Sequence, residues 1–320
     1  MQAQELAIGV DIGATKIATA VVSAQGEVLH ALEQPTEVQN GQEDILRRVA
    51  EMIVQLLNQC QTAVVGIGVG TPGIVDPNAG IVRNAVNLGW TNVPVVPSLK
   101  RLVGDDLPIF LQRDTVAGTL GEYFLGAGAQ SSHLVYLSIG SGLGAGAILN
   151  GQILTGATQG ALELGHLALS FLDAPCACGR IGCIETVLSG NGVLATTLRQ
   201  LQVSHQPSLL RGKRQLSPQD VIQAVQEGDG IARQVLQLAG KVLGVVFSIC
   251  TAVLNPAVIV VGGGFGRAAF DLLLPPALEE LERRVLPDVY QSLQIKPSRL
   301  TSSAIGAAAL VWYGQNRSTG

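Results

Sequence analysis

The stretch LAIGVDIGATKIATAVV, residues 6–22, decides the fold that this sequence predicts. An apolar run ends at Asp11, the chain turns at Gly13, and a second run rich in β-branched residues follows. This pattern predicts a β-hairpin with a polar tip. The tip carries Asp11, Thr15, Lys16 and backbone N–H groups, which suit a bound phosphate and a carboxylate that orients Mg²⁺. Such turns also occur in ordinary hairpins, so an ordinary turn is the alternative interpretation.

The same pattern recurs in LVYLSIGSGLGAGAILNGQIL, residues 134–154, where an apolar strand runs into the turn GSGLGAG and a second strand. Two such hairpins predict two related halves, each with its own phosphate loop. A third glycine cluster lies in PAVIVVGGGFGRAAFDLLLP, which starts at Pro256 and reads as a buried strand, glycines and a helix. It resembles a nucleotide-binding turn but lacks the spacing of the dinucleotide fingerprint and of the Walker loop, so a tight strand-to-helix junction without a ligand is an equally good interpretation.

Between the glycine clusters, helical and strand patterns alternate. Residues 41–59 carry apolar residues at helical spacing, and VVGIGVG from Val64 follows as a buried strand. This βαβ pattern predicts a mostly parallel sheet with helices on its faces. Gly73 lies in the turn after that strand, and Asp114 lies between a later strand and a helix. A carboxylate between a strand and a helix, such as that of Asp114, is either a helix cap or a catalytic group. Further helices are expected at 217–227, 230–254 and 303–314.

The stretch ELGHLALSFLDAPCACGRIGCIE, Glu163–Glu185, concentrates residues that bind soft metals. Three cysteines and one histidine at this spacing predict a tetrahedral zinc site with His166, Cys176, Cys178 and Cys183 as ligands. Disulfides and core thiols are the alternatives, although three clustered cysteines cannot all pair with one another. Four protein ligands leave no open position for water, so the zinc would be structural. It would fix a loop that carries both terminal glutamates.

The composition indicates a globular protein of up to two ordinary domains. The chain has 320 residues, of which 47% are hydrophobic and 14% charged, and its net charge is −4. No basic run suits a phosphate backbone, which disfavours a nucleic-acid partner. No apolar run approaches the ~20 residues of a membrane span, and the N-terminus lacks the basic start of a signal peptide. We therefore expect no membrane association and a cytoplasmic protein with reduced thiols.

Taken together, the motifs resemble those of the ROK family of sugar kinases and sugar-responsive repressors. The resemblance covers nearly the whole chain and rests on VDIGATK, GVGTPGIVD, NLGW, the strand-RD-helix segment, GSGLGAG, ELGH, CACGRIGCIE and IVVGGG. It implies an α/β protein of the actin-like ATPase (ribonuclease H-like) fold, with two α/β domains and ATP in the cleft between them. We expect a small domain over 1–114, a large domain with the zinc loop over 115–300, and a C-terminal helix over 301–320 that packs back on the small domain.

The resemblance also assigns roles to single residues. It makes Asp114 the catalytic base and places Gly73, Arg113, Asp114, Glu163, His166 and Glu185 at the sugar. It assigns the phosphates to the two loops, through Gly13, Thr15, Lys16, Gly140, Ser141 and Gly142, with Asp11 orienting Mg²⁺ through water. It assigns adenosine contacts to Gly262, Gly263 and Gly264. His166 would both bind Zn²⁺ and face the sugar.

Three positions depart from the family pattern. Arg113 stands where the family usually has Asn, and because Arg only donates hydrogen bonds, it puts the identity of the sugar in question. We consider two orientations for it: one toward the sugar, and one outward, paired with a surface carboxylate. Leu162 and Ala14 stand where Gly is common, and each is silent unless its backbone requires a positive φ.

The resemblance leads us to expect an ATP-dependent sugar kinase that phosphorylates the C6 hydroxyl of glucose. Kinases of fructose, mannose or an N-acetylhexosamine are the near alternatives, and a non-catalytic sugar-binding regulator is the alternative of another class. Family repressors carry a DNA-binding domain before the first loop, whereas about five residues precede the first strand of this chain. The expected partners are the sugar and ATP, and a homo-oligomer, dimer or tetramer, is expected.

Overall fold

The first hairpin forms where the sequence predicts it. The computed structural model describes residues 5–129 and 131–318, with side chains described as far as residue 315. The strands are β1 (Leu6–Ile12), β2 (Lys16–Ser23), β3 (Val28–Pro35), β4 (Val64–Thr71), β5 (Ile74–Asp76), β6 (Ile81–Ala85), β7 (Trp90–Val93), β8 (Ile109–Arg113), β9 (His133–Ile139), β10 (Leu143–Leu149), β11 (Gln152–Ile153), β12 (Val258–Gly262) and β13 (Gln294–Pro297). The helices are α1 (Gly41–Gln59), α2 (Val95–Val103), α3 (Asp114–Phe124), α4 (Gly190–Val203), α5 (Pro218–Gln226), α6 (Gly230–Leu254), α7 (Gly264–Ala268), α8 (Phe270–Glu282), α9 (Pro287–Ser292) and α10 (Ser303–Ser318).

The chain forms two compact units. The first comprises Met1–Gln130, Ile153–Ala161 and Arg299–Gly320, and the second comprises Ser131–Gln152 and Leu162–Ser298. This division differs from the expected spans of 1–114, 115–300 and 301–320. Residues 319 and 320, at the end of the last expected span, lie outside the described part of the chain. Helix α3 belongs to the first unit because it packs on α10, where a Cβ atom at Gly121 would lie 2.7 Å from the Cα atom of Gly306.

The first unit contains a five-stranded sheet in the order β3-β2-β1-β4-β8. β1 pairs antiparallel with β2 and parallel with β4, and β4 pairs parallel with β8. The polar ends of β1, β4 and β8 therefore lie at one edge of the sheet. One face of the sheet is covered by α1, whose apolar positions Ile45, Val49, Ile53 and Leu56 are fully buried. Burial of this stripe stabilises the layer by roughly 1.5–3 kcal/mol for each such side chain.

Helix α10 crosses the other face of this sheet at unusually short range. A Cβ atom at Gly9 would overlap the carbonyl oxygen of Ala304, and one at Gly68 would overlap that of Ala307. Glycine is thus required in the two central strands because the helix backbone lies directly on them. The alanine-rich sequence of α10 meets the same requirement from the other side, and Ala304 and Ala308 are fully buried there.

The second unit contains a sheet in the order β11-β10-β9-β12-β13. β9 and β10 form the predicted second hairpin, and β12 pairs parallel with β9. Helices α6 and α8 pack closely because Gly240 and Gly244 leave no side chain between them, and a Cβ atom at Gly244 would lie 2.7 Å from the Cβ atom of Glu280. The expected α/β class is therefore confirmed for both units.

Helix α6 corrects one expectation from the sequence. We expected no apolar stretch of membrane-spanning length, but Gly230–Leu254 is long and apolar enough by length and composition, since its 18-residue window has a mean hydropathy of 1.8. In the structure 72% of that window is buried inside the protein. The helix therefore has the burial of a core helix, and its length alone is weak evidence for a membrane.

Candidate functional site

Asp114 lies at the junction of β8 and α3, at the carboxyl end of a parallel strand. Arg113 is the N-cap residue and Asp114 is the first residue of the helix, so Asp114 is not the cap that one interpretation of the sequence proposed. Its Oδ1 atom accepts a hydrogen bond from the backbone N–H of Thr115 at 2.7 Å. The N-terminus of α3 favours the ionised carboxylate, because backbone N–H groups there carry partial positive charge.

Asp11 ends β1 at the same edge of the sheet and lies close to Asp114. A Cβ atom at Gly70 would lie 3.6 Å from both Asp11 Oδ1 and Asp114 Cα, so these two residues flank the end of β4. Desolvation by burial raises the pKa of Asp11 from 3.8 to about 6, a hydrogen bond with the Ser303 side chain opposes this rise, and the negative charge of Asp114 adds to it. Two carboxylates at one strand edge form a place that attracts a cation.

The first glycine loop joins β1 to β2. The N–H of Gly13 donates to the carbonyl of Lys16 at 2.9 Å, and the buried hydroxyl of Thr36 donates to the carbonyl of Gly13 at 2.6 Å. Thr15 and Lys16 are exposed, and Lys16 forms a 2.6 Å ion pair with Glu33. Ala14 is not among the described residues with positive φ, so this departure from the family pattern places no strain on the loop.

Gly73 follows β4 and has a left-handed backbone with φ of 95°. A Cβ atom at this position would overlap the carbonyl oxygen of Asn84 and would lie 2.7 Å from the Cα atom of Ala85. Glycine is therefore required here by the fold of the first unit, independently of any contact with a ligand.

Arg113 is buried, with 6% of its surface exposed. Its Nη1 atom donates to the carbonyl oxygen of Gln159 at 2.6 Å, and its Nη2 atom donates to the Thr115 hydroxyl at 3.2 Å. The acceptors of these two bonds are a main-chain carbonyl and a hydroxyl. Neither is the surface carboxylate with which the outward orientation of Arg113 was expected to pair.

The four predicted zinc ligands converge in the second unit. The ligand atoms of His166, Cys176, Cys178 and Cys183 all lie within 4.8 Å of one another. The Sγ atoms of Cys178 and Cys183 are 3.5 Å apart, and the Sγ atom of Cys176 is 3.7 Å from Nδ1 of His166. Tetrahedral zinc with Zn–S bonds of about 2.3 Å has S···S edges of about 3.8 Å, so the cluster has the dimensions of such a site.

Two glycine turns shape the cluster. Gly179 and Gly182 have left-handed backbones, and a Cβ atom at Gly182 would lie 2.6 Å from the carbonyl oxygen of Leu172. Burial raises the pKa of Cys176 to about 12, whereas a hydrogen bond from the Arg180 backbone lowers the pKa of Cys178 to about 6. A thiolate with a raised pKa needs a cation to stabilise it, which fits a metal among these ligands.

Glu185 joins this cluster to the second glycine loop. Its Oε1 atom lies 3.4 Å from Nδ1 of His166 and accepts from Sγ of Cys176 at 3.3 Å. Its Oε2 atom accepts from the backbone N–H of Leu143 at 3.5 Å. The His166 side chain is 38% exposed, so the ring retains a solvent-facing side. Glu163, the other predicted carboxylate, is exposed at the start of the 3₁₀ turn Leu164–His166.

The second and third glycine clusters lie against one another. Gly263 packs on Ile139, the residue before Gly140, and a Cβ atom at Gly263 would lie 2.6 Å from the N atom of Ile139. Gly140 accepts a 2.8 Å hydrogen bond from the N–H of Gly190, the first residue of α4. Ser141 is exposed, and Gly264 has open space where a Cβ atom would be. A Cβ atom at Gly262 would lie 2.5 Å from the ring of Tyr136, so packing alone requires this glycine.

The structure thus brings the predicted residues together within each unit. Asp11 and Asp114 share one strand edge, and the four predicted metal ligands, Glu185 and the loop Gly140–Gly142 adjoin one another. Sequence reasoning missed Ser303 as the partner of Asp11 and Gln159 as the partner of Arg113. No local pattern marks either contact, because each joins segments that are far apart in the chain.

Comparisons with known proteins identify relatives of this chain. The glucokinase of Thermotoga maritima is 32% identical over 315 residues, which cover 95% of this chain and 96% of that protein. The xylose repressor of Caldicellulosiruptor bescii is 29% identical and matches 95% of this chain, but 77% of its own length. A solved ROK family glucokinase from Streptomyces griseus, in complex with glucose and AMPPNP, has a TM-score of 0.83 and 25% identity, covering 97% of this chain and 99% of that one.

These similarities confirm the actin-like ATPase fold that the motifs implied. The pattern of the ROK family matches residues 7–313, which include both glycine loops, the metal-ligand cluster and Asp114. Relatives of both kinds, kinases and repressors, have similar identity to the chain. The chain belongs to the ROK family.

Proposed function

We propose that this protein is an ATP-dependent sugar kinase that phosphorylates the C6 hydroxyl of a hexose, with glucose as the first candidate. The observation that carries the proposal is the position of Asp114, a carboxylate fixed at the strand edge beside Asp11. Support comes from the glucokinase of Thermotoga maritima, which matches the chain over nearly the whole length of both proteins. The complex of the Streptomyces griseus enzyme with glucose and AMPPNP supports ATP as the donor.

In this proposal Asp114 is the general base. Its carboxylate accepts the proton of the C6 hydroxyl while the C6 oxygen forms a bond to the γ-phosphorus atom of ATP. The bond between the γ-phosphorus and the bridging oxygen breaks, and ADP leaves. The hydrogen bond from Thr115 N–H holds the carboxylate in one orientation, which the reaction requires. A positioned base of this kind contributes about 10²–10⁴-fold to the rate.

The other predicted residues bind and orient. The backbone of Gly13 and of Gly140–Gly142, with Thr15, Lys16 and Ser141, would hold the phosphates, and Gly262–Gly264 would lie at the adenosine. Asp11 would orient Mg²⁺, which neutralises phosphate charge when bound. Glu163 and Glu185 would accept hydrogen bonds from sugar hydroxyls, the ring N–H of zinc-bound His166 would donate one, and the backbone at Gly73 would contact the sugar as well.

Zinc would have a structural role. The four ligands fit a closed tetrahedral site, and Glu185 contacts two of them directly. Fixing His166 and Glu185 in this way supplies an oriented ring N–H donor and an oriented carboxylate acceptor for a polyol. The proposal includes a cytoplasmic location and an assembly of two or four copies, both of which rest on the family resemblance.

The test is an ADP-release assay with ATP and a panel of glucose, fructose, mannose and N-acetylated hexosamines. Turnover of a hexose, with loss of turnover in Asp114→Asn, is the expected result. Titration calorimetry with each sugar accompanies the assay. Sugar binding without turnover on any member of the panel would overturn the kinase proposal and favour a sugar-responsive regulator, the class to which the xylose repressor belongs.

A further inference from the structure

The segment between Thr155 and Leu162 is held in a strained conformation. Gln159 has a φ of 61° and Leu162 a φ of 64°, both in the left-handed region. This region is unfavourable for residues with a Cβ atom, which approaches the following carbonyl oxygen. Asn and Asp offset the cost with local hydrogen bonds, but the aliphatic side chain of Leu has none to offer. Contacts elsewhere must therefore hold the segment in place.

The backbone of the segment contributes a hydrogen bond of its own. The N–H of Ala161 donates to the carbonyl of Thr155 at 3.1 Å and closes a turn that contains Gly156, which has a φ of 73°. The Oε1 atom of Gln159 is buried and has no hydrogen-bond partner among the described residues. The side chain of Gln159 therefore does not anchor the turn through this oxygen.

Arg113 supplies an anchor from outside the segment. Its 2.6 Å bond to the Gln159 carbonyl is charge-assisted, and its second bond, to the Thr115 hydroxyl, fixes the planar guanidinium against the start of α3. The side chain is buried, so this bond lies in a medium of low dielectric, where hydrogen bonds are stronger. The end of β8 is thereby tied to Gln159, the first non-glycine residue of the segment with a left-handed backbone.

We propose that Arg113 is a positioning residue that holds the segment Thr155–Leu162 in its left-handed conformation and thereby fixes the direction of Glu163, the next residue in the chain. This rests on the proposed function only in so far as Glu163 contacts the sugar. Arg113 then influences sugar binding without contacting the sugar, and the strain at Leu162 is tolerated because Arg113 is present.

The experiment combines Arg113→Gln and Leu162→Gly in a double-mutant cycle, read by hydrogen–deuterium exchange of peptides that cover 153–163. Arg113→Gln is expected to raise exchange in this segment by about tenfold, which corresponds to about 1.4 kcal/mol. Leu162→Gly removes the Cβ atom that makes the left-handed backbone unfavourable. In that background the loss of the anchor is expected to be offset, so that exchange in the double variant returns to within about threefold of the wild type, because strain relief and anchor loss act in opposite directions on the same opening equilibrium.

Sugar binding gives the second readout. Arg113→Gln is expected to raise the KM or Kd for the sugar by about tenfold with a smaller change in kcat, and adding Leu162→Gly is expected to restore most of the affinity. Asn92→Gly is the matched control, because Asn92 is a non-glycine residue with a φ of 51° elsewhere in the first unit and should not suppress Arg113→Gln. Arg113→Lys keeps the charge and is the fallback if Arg113→Gln does not fold.

The outcomes separate this inference from the proposed function. Unchanged exchange in Arg113→Gln, or a double variant that exchanges as fast as Arg113→Gln alone, would overturn the positioning role even in an active kinase. Raised exchange that Leu162→Gly suppresses would support it even if no sugar were phosphorylated. A changed preference among sugars with unchanged exchange would mean that Arg113 contacts the sugar directly.

Discussion

The carboxylate of Glu185 lies across Gly142, so that its Oε2 atom is 3.0 Å from the point where a Cβ atom of residue 142 would be. The other oxygen of the same carboxylate lies 3.3 Å from Sγ of Cys176 and 3.4 Å from Nδ1 of His166. One side chain therefore connects the metal-ligand cluster to the second glycine loop. Glycine at position 142 has a steric reason that the loop's own backbone does not reveal, since its φ is not positive.

The first prediction is that Gly142→Ala displaces Glu185. A contact of 3.0 Å is tighter than most Cβ contacts in proteins, and the hydrogen bond to Leu143 N–H is already long at 3.5 Å, so the carboxylate should move by a few tenths of an ångström. Titration calorimetry should show a roughly tenfold loss of glucose affinity, or about 1.4 kcal/mol. Gly140→Ala is the control, because a Cβ atom there has no neighbour within 4 Å. Equal affinities for the two variants would contradict the prediction.

The second prediction concerns the metal. Purified protein should contain about one zinc per chain, and Cys178→Ser should lower both the zinc content and the midpoint of thermal unfolding, because binding energy of a structural metal is folding energy. Elemental analysis and calorimetry measure the two effects. Cys60→Ser is the matched control, a partly exposed thiol at the end of α1 that should leave the zinc content unchanged. An active, freshly purified protein without zinc would disprove the assignment.

The third prediction is that Asp114→Asn lowers kcat by at least about 100-fold, since an amide cannot accept the proton. Sugar binding should change far less, because the amide oxygen can still accept from Thr115 N–H as the carboxylate does. Single-turnover kinetics and calorimetry separate the two effects. The control is Asp106→Asn, which alters an exposed carboxylate outside the candidate site. A near-normal rate would show that another group is the base.

Local patterns predicted a large part of this structure. Both hairpins, α1 and the convergence of the four predicted metal ligands follow from residues that are close together in sequence, where hydrophobic periodicity and ligand spacing act directly. The orientation of the Arg113 side chain could not be predicted from local patterns, because it depends on the position of the Gln159 carbonyl, which is distant in the sequence. The left-handed backbone of Leu162 was equally hidden, since a leucine in the sequence gives no sign that tertiary contacts impose a positive φ.

Asp11 provides the last prediction, because its pKa links stability to pH. Burial is the main reason why the pKa of Asp11 is about 6 in the folded protein, whereas its ordinary value is 3.8. Between these values the folded protein binds more protons than the unfolded protein, so this residue's contribution to the free energy of unfolding decreases as pH rises through that window. Above pH 6 Asp11 is ionised in both states, and the full cost of burying its charge remains, at most about 3 kcal/mol.

Asp11→Asn removes this cost and should therefore stabilise the protein at neutral pH in the absence of Mg²⁺. We expect the midpoint of thermal unfolding at pH 7.5 to rise by roughly 5 °C. An increase of about 2 kcal/mol in the free energy of unfolding would produce such a shift in a unit of this size. The gain should shrink as the pH falls to about 4, where the wild-type carboxyl is protonated in the folded state. Scanning calorimetry at several pH values measures it, with Asp106→Asn as a control that should show no such dependence. The same variant should lose kinase activity if Asp11 orients Mg²⁺. A gain in stability that is equal at pH 4 and pH 7.5 would mean that the charge of Asp11 is not the cause.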